Sequence, residues 1–144
     1  MSTVTPDIEV GQALKQQDDP TISSYTDVTD IYEDELKDKD QENLVAVYLS
    51  SSNHVLGDAL LFRGGLRSIS VEPREIVRKA LLLNASATIL LHNHPGGDPE
   101  PTAADIETTE EIKEALDMFE IRLLDHVIVS PHGCTSMKQD GTLP

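Results

Sequence analysis

The decapeptide at residues 92–101, His-Asn-His-Pro-Gly-Gly-Asp-Pro-Glu-Pro, constrains the fold more than any other stretch of the chain. Three prolines and two glycines fall within residues 95–101, a density that neither a helix nor a strand accommodates. The apolar run at residues 85–91 predicts a buried strand just before it. Thr102 predicts the start of a helix that extends to about residue 119. The sequence therefore predicts a strand and a helix joined by a loop of fixed shape.

The remaining apolar patterns predict helices and strands that alternate along the chain. Helices are predicted at residues 27–38, capped by Thr26 or Asp27, and at residues 73–83, where Pro73 suits the first helical position. Strands are predicted at residues 44–49, 54–62, 121–130 and 134–137, the first two as a hairpin. The order α-β-β-α-β-α-β-β favours an α/β fold, a mixed β-sheet with helices on its faces.

Composition limits the size and setting of this fold. The chain has 144 residues, enough for one domain with a real core, which we place at residues 23–144. Residues 1–22 are polar and predict a disordered tail. Cys134 is the only cysteine, which excludes an internal disulfide and a cysteine-rich zinc site. Because the sequence contains neither a membrane-spanning apolar run nor a secretory signal, we predict a cytoplasmic location without membrane attachment.

The charge of the chain is strongly negative. Eleven basic residues stand against 26 acidic ones, for a formal net charge of −15. Since binding to nucleic acid depends on basic side chains that neutralise phosphates, we expect no direct binding to DNA or RNA. The acids could steer cationic partners, or they could keep the protein hydrated in very high salt. The even spread of the acids along the chain favours adaptation to high salt.

His92, His94 and Asp105 form the pattern with the clearest chemical meaning. The two histidines follow a predicted buried strand, and Asp105 lies one turn inside the next helix. Two imidazoles and a carboxylate are three zinc ligands, which leaves the fourth position open for water, as in catalytic zinc sites. Alternatively, Asp105 only completes a capping box with Thr102. That alternative explains neither the histidines nor the rigid loop.

These residues identify a family resemblance. The JAMM (MPN+) metalloprotease motif resembles the pattern His92-x-His94-Pro95 followed by Pro101-Thr102-x-x-Asp105. The amino-acid sequence of residues 92–99 resembles the RadC-like JAB branch of that family in particular. The stretches Val-Glu-Pro-Arg-Glu-Ile (71–76), Ala-Leu-Leu-Leu-Asn-Ala (80–85) and Arg-Leu-Leu-Asp-His-Val-Ile-Val (122–129) are similar to that branch too. The resemblance covers roughly residues 24–140. It implies a layered JAB/MPN (cytidine-deaminase-like) architecture and a Zn²⁺ ion held by His92, His94 and Asp105.

The resemblance also implies an activity and two further site residues. It implies a zinc-dependent metallopeptidase or isopeptidase that cleaves an amide bond with a zinc-activated water, acting on a peptide or on a protein that carries a ubiquitin-like modifier. Glu42 matches the glutamate that acts as general base in the family. From the residues alone it is one more acid in the run at 38–42, and Asp58, Glu72 and Glu75 are rivals. Thr102 stands where the family usually has a serine that binds the oxyanion; it keeps the hydroxyl but adds a methyl group.

Besides the zinc hydrolase, one alternative function remains, and a further one is rejected. The chain could be a non-catalytic JAB interaction or scaffold module, historically grouped with DNA repair protein RadC. His126, among apolar residues of a predicted strand, fits a core or supporting role better than that of a ligand. The length predicts an isolated JAB domain, without the helix-hairpin-helix region of longer RadC-like proteins. A zinc nucleobase deaminase is rejected because it needs His-x-Glu and a pair of cysteines.

Overall fold

The computed structural model describes residues 20–64 and 72–144, so most of the tail predicted at residues 1–22 lies outside the described part. The elements in chain order are α1 (Tyr25–Leu36), β1 (Asn43–Leu49), β2 (Val55–Arg63), α2 (Pro73–Leu82), β3 (Ala87–Asn93), α3 (Ala103–Asp117), β4 (Arg122–Ser130), β5 (Gly133–Ser136) and α4 (Met137–Asp140). Among these helices, none combines the length and the apolar character that crossing a bilayer requires.

The five strands form one mixed sheet in the order β2-β1-β3-β4-β5. The β3–β4 pair is parallel, whereas β1–β2, β1–β3 and β4–β5 are antiparallel. The predicted α/β class and the predicted hairpin of β1 and β2 are therefore confirmed. β3 lies at the centre of the sheet, so its carboxyl end opens between neighbouring strands on both sides.

Both faces of the sheet are covered by helices, which explains why its central strands are continuously apolar. One face packs against α1 and carries the odd-numbered residues Val45, Val47, Leu49, Ile89, Leu91, Val127 and Val129. The other face packs against α2 and α3 and carries the even-numbered residues Leu44, Ala46, Tyr48 and Leu90. Side chains alternate between faces along a strand, so in β1 and β3 the odd-numbered residues meet α1 and the even-numbered residues meet α2 and α3.

Two predictions about helices need correction. The first helix begins at Tyr25 after the N-cap Ser24, not at Thr26 or Asp27. Asp27 instead lies at the third helical position, where its carboxylate accepts the backbone N–H groups of Ser23 and Ser24 at 2.7 and 3.3 Å.

The last helix, α4, was not predicted because its four residues are too few for a periodic pattern. Its end signals were readable, namely a capping serine before it and Gly141 with φ 84° after it.

The third strand extends beyond its predicted end at residue 91. His92 and Asn93 belong to β3, because His92 pairs with Leu44 on β1 and Asn93 pairs with Val129 on β4. The shaped loop therefore begins at His94. Sequence composition marked the loop, but the partners that extend the strand come from distant parts of the chain.

Candidate metal centre

The pairing of β1 with β3 brings Glu42 to His92. Leu44 is the cross-strand partner of His92, and Glu42 lies two residues before Leu44, hence on the same face of the sheet. The Oε1 atom of Glu42 is 2.6 Å from the Nε2 atom of His92. The His92 side chain is fully buried, whereas the Glu42 side chain is 31% exposed. Glu42 therefore connects a buried imidazole with solvent.

The first turn of α3 brings Asp105 to the two histidines. Thr102 is the N-cap, and its hydroxyl oxygen accepts the backbone N–H of Asp105 at 3.1 Å. Asp105 Oδ2 accepts the backbone N–H of Thr102 at 2.8 Å and lies 3.0 Å from His94 Nε2. Asp105 Oδ1 lies 3.4 Å from His92 Nδ1. Capping and contact with the histidines, which the sequence offered as alternatives, are both present: Oδ2 serves the cap and His94, and Oδ1 faces His92.

His92, His94 and Asp105 form a group that could hold a metal ion. One ligand atom from each residue can be chosen so that all three lie within 4.8 Å of one another. His92 Nδ1 is buried and makes no hydrogen bond to any residue that the structure describes. An orphaned imidazole nitrogen beside a buried carboxylate is the environment that a cation would complete. Two imidazoles and one carboxylate suit zinc, so the residues fit the implied metal.

The charges of the group are mutually stabilising. The hydrogen bond with Asp105 raises the pKa of His94, against the opposing effect of partial burial. Burial alone would raise the pKa of the Asp105 carboxyl, but the hydrogen bond with His94, the charge of His92 and the Thr102 N–H bring it down to about 2. Asp105 is therefore ionised at neutral pH, as a carboxylate ligand must be.

A cleft of about 550 Å³ opens over this group. Its lining includes Glu42, His94, Asp98, Glu100, Thr102 and Asp105. The Thr102 hydroxyl, which accepts from the Asp105 N–H, keeps its own hydrogen for a molecule in the cleft. All five predicted site residues thus meet at one place. Their roles as ligands, base and oxyanion donor stay predictions from the family resemblance.

The rivals of Glu42 lie elsewhere. Asp58 is buried on β2 and accepts a hydrogen bond from the Tyr32 hydroxyl at 2.7 Å, under α1. Glu75 lies in the first turn of α2, where it pairs with Arg78 at 3.5 Å. Glu72 is the N-cap of α2, and none of the three rivals lines the cleft over the histidines.

Asn93 is a supporting residue that the sequence analysis missed. Its Oδ1 atom accepts the backbone N–H of Asn43 at 2.6 Å, and its Nδ2 atom donates to the carbonyl of Gln41 at 2.9 Å. The fully buried carboxamide therefore holds the backbone on both sides of Glu42. No local signal reveals this role, because the partners are about fifty residues away in the chain.

His126 and Thr109 form a second buried layer next to His92. The His126 ring is fully buried, with its centroid 5.7 Å from that of His92. His126 Nδ1 lies 2.6 Å from Thr109 Oγ1. Burial lowers the pKa of His126 to about 3, so the ring is neutral at neutral pH. The supporting role predicted for His126 fits this position. Thr109 was missed, although its spacing of four residues from Asp105 puts both on one helix face.

Comparisons with known proteins agree with this architecture. The family model described as the RadC-like JAB domain matches residues 22–142. A UPF0758 protein of Shouchella clausii is 37% identical over 137 residues, which cover 93% of this chain and 60% of the relative. A UPF0758 protein of Thiobacillus denitrificans is 41% identical over 141 residues, covering 98% of this chain and 59% of the relative. The chain spans about three fifths of the length of these curated relatives.

Proposed function

The chain belongs to the RadC-like JAB domain family, and from that premise we propose that it is a zinc-dependent hydrolase of the JAMM type, a metallopeptidase or isopeptidase. One observation carries the proposal. Two histidines and an ionised aspartate converge within 4.8 Å beneath an open cleft, with Glu42 2.6 Å from one of them. A structural zinc site would be closed by four protein ligands, whereas three ligands below a cleft suit a catalytic site.

Each residue has a defined task in this proposal. His92, His94 and Asp105 would hold the zinc ion, which supplies Lewis-acid activation of water and of an amide carbonyl when it is bound. Glu42, whose side chain is partly exposed to the cleft, takes a proton from the attacking water and delivers it to the leaving amine. The free hydroxyl hydrogen of Thr102 donates to the carbonyl oxygen as negative charge develops there.

The electrostatics of the cleft favour a cationic substrate. Asp98 and Glu100 lie exposed on the loop that borders the cleft, beside Glu42. Acidic walls attract positive charge and disfavour acidic segments. We therefore propose, as substrate, a lysine- or arginine-containing peptide or a lysine isopeptide of a ubiquitin-like modifier. The cytoplasm, where cysteine pairs stay reduced, is the proposed location for a chain with one cysteine.

A metal-independent scaffold is the second candidate, and one observation favours it. Glu42 lies within hydrogen-bond distance of His92, and Asp105 of His94, so much of the polar group is satisfied without an ion. Such a module would fold and bind partners with its site closed by these contacts.

Elemental analysis and a peptide assay separate the two candidates. The purified protein should carry close to one zinc per chain, which His92→Ala and Asp105→Ala variants should lose. The zinc-loaded protein should then cleave internally quenched peptides, with lysine-flanked bonds cut faster than glutamate-flanked ones. Glu75→Gln, on the exposed first turn of α2, is the matched control for loss of a carboxylate. A folded wild-type protein that takes up no zinc would favour the scaffold.

A further inference from the structure

The second buried layer, His126 and Thr109, is connected to Asp105 through the helix backbone. Thr109 Oγ1 lies 2.6 Å from the carbonyl oxygen of Asp105, one turn earlier on α3. The same Oγ1 atom lies 2.6 Å from His126 Nδ1 on β4. Thr109 and His126 are fully buried, and Asp105 is 1% exposed. A continuous series of short polar contacts therefore runs from His126 through Thr109 to Asp105, the proposed carboxylate ligand.

The position of each hydrogen in this series of contacts follows from which atoms can donate and which can only accept. A carbonyl oxygen only accepts, so the single hydroxyl hydrogen of Thr109 lies on the contact with Asp105. Thr109 Oγ1 then has only lone pairs to offer to His126. The Nδ1 atom of His126 must therefore carry the hydrogen in the 2.6 Å contact.

The other nitrogen of His126 is consequently a bare lone pair. A neutral imidazole has one N–H, which Nδ1 already uses. His126 Nε2 is buried and makes no hydrogen bond to any residue between 20 and 64 or 72 and 144. The neighbouring ring is that of His92, whose Nδ1 atom is likewise buried without a hydrogen bond. The relay through Thr109 therefore predicts the Nδ1–H tautomer of His126.

We propose that His126 and Thr109 are positioning residues of the metal centre: their relay anchors the turn of α3 that carries Asp105. This inference rests on the proposed function, because it assigns the support of the same site. Hydrogen-bonded partners behind a metal ligand hold that ligand in the orientation that binds the ion.

The tautomer of His126 is tested in the metal-free protein. Nitrogen-15 NMR of uniformly labelled protein distinguishes protonated from bare imidazole nitrogens, and a His126→Asn variant assigns the signals. At neutral pH we expect Nδ1 of His126 to be protonated and Nε2 to be bare. The reverse pattern, with the hydrogen on Nε2, would overturn the relay, whether or not zinc binds.

The positioning role is tested by zinc affinity, measured by competition with a chromophoric chelator. Thr109→Val removes the hydroxyl at nearly constant volume and should weaken zinc binding by about 10- to 100-fold. Thr109→Ser should restore the wild-type affinity. Thr88→Val is the matched control, because the Thr88 hydroxyl on β3 is also fully buried but makes no hydrogen bond to a described residue.

The outcomes separate this inference from the proposed function. If the wild-type protein binds zinc and a folded Thr109→Val variant binds it equally well, the positioning role is wrong and the hydrolase proposal stands. If Thr109→Val and Thr88→Val weaken zinc binding equally, the effect is a general one of the core, and the positioning role is again wrong. If the wild-type protein binds no zinc, the proposed function and the positioning role fail together, whereas the NMR result still decides the tautomer.

Discussion

Glu42 Oε1 and His92 Nε2 are 2.6 Å apart although fifty positions separate the two residues in the sequence. The contact exists because β1 and β3 pair antiparallel with Leu44 opposite His92, which puts Glu42 on the same face. A carboxylate in this position touches the proposed ligand set and the cleft at once. This position supports the proposed role of Glu42 as the base.

Replacing Glu42 by Gln should separate chemistry from metal binding. The amide keeps the size of the side chain but takes up no proton at neutral pH, so peptide cleavage should fall by about 10²- to 10⁴-fold. Zinc content should remain close to that of the wild type, because the ligands are unchanged. Elemental analysis and cleavage rates on the same preparations check both statements. Retention of wild-type activity would refute the assignment of Glu42 as the base.

Asn93 should prove necessary for placing Glu42. In an Asn93→Asp variant, a carboxylate oxygen would face the carbonyl of Gln41 in a buried site, where the wild-type amide donates at 2.9 Å. We expect the free energy of unfolding to fall by about 1–3 kcal/mol. The cleavage rate should fall as well, because the backbone on both sides of Glu42 is no longer held in place. Urea denaturation measures the first effect. Asn84→Asp, at an exposed position after α2, is the control and should change neither quantity.

Thr102 caps α3, and in the proposed mechanism it also donates to the substrate oxygen. Thr102→Ala removes both, so we expect a loss of about 1 kcal/mol of stability and of about 10²- to 10³-fold in turnover. Thr102→Ser keeps the hydroxyl and should retain both functions. Thermal denaturation and steady-state kinetics distinguish the effects. If Thr102→Ala lowers only stability, the hydroxyl is a cap and nothing more.

His126 should make the metal-free protein sensitive to mild acid. Its folded pKa of about 3 lies below the ordinary 6.5, so below pH 6.5 the unfolded chain binds a proton that the folded chain excludes. The contribution of neutral His126 to the free energy of unfolding is therefore fully present above pH 6.5. It is lost as the pH falls towards 3, by up to about 1.4 kcal/mol per pH unit. Asp105, whose pKa is lowered from 3.8 to about 2, loses its contribution only at lower pH.

The pH effect can be assigned to one residue by comparing slopes. In urea unfolding between pH 6.5 and pH 4, the free energy of unfolding should depend less steeply on pH for His126→Asn than for the wild type. The His94 pKa is raised, so its contribution is complete below pH 6.5 and is lost only at higher pH. His132→Asn, at an exposed turn position, should keep the wild-type slope. Identical slopes for wild type and His126→Asn would contradict the prediction.

The net charge of −15 should make stability depend on salt. Repulsion among the acidic side chains is screened as ionic strength rises, so the melting temperature should increase between low salt and molar KCl. Differential scanning calorimetry at constant pH measures the shift. A melting temperature that does not change with salt would refute adaptation to high salt.

The amino-acid sequence by itself determined the local elements and the three residues proposed as metal ligands. Sequence patterns located all five strands and the three longer helices to within a few residues, because these patterns depend on near neighbours. The two histidines, the rigid loop and Asp105 are close in sequence, so their proximity in space follows from one strand–loop–helix unit. The charge and the single cysteine also needed no structure to interpret.

Only the tertiary structure decided which distant side chains complete the site. Glu42 meets His92 through the register of β1 and β3, and the sequence alone did not distinguish it from its acidic neighbours. The Asn93 clamp and the His126–Thr109 relay likewise join residues that different elements contribute. Register and helix docking depend on contacts between segments far apart in the chain, and local propensity carries no information about them.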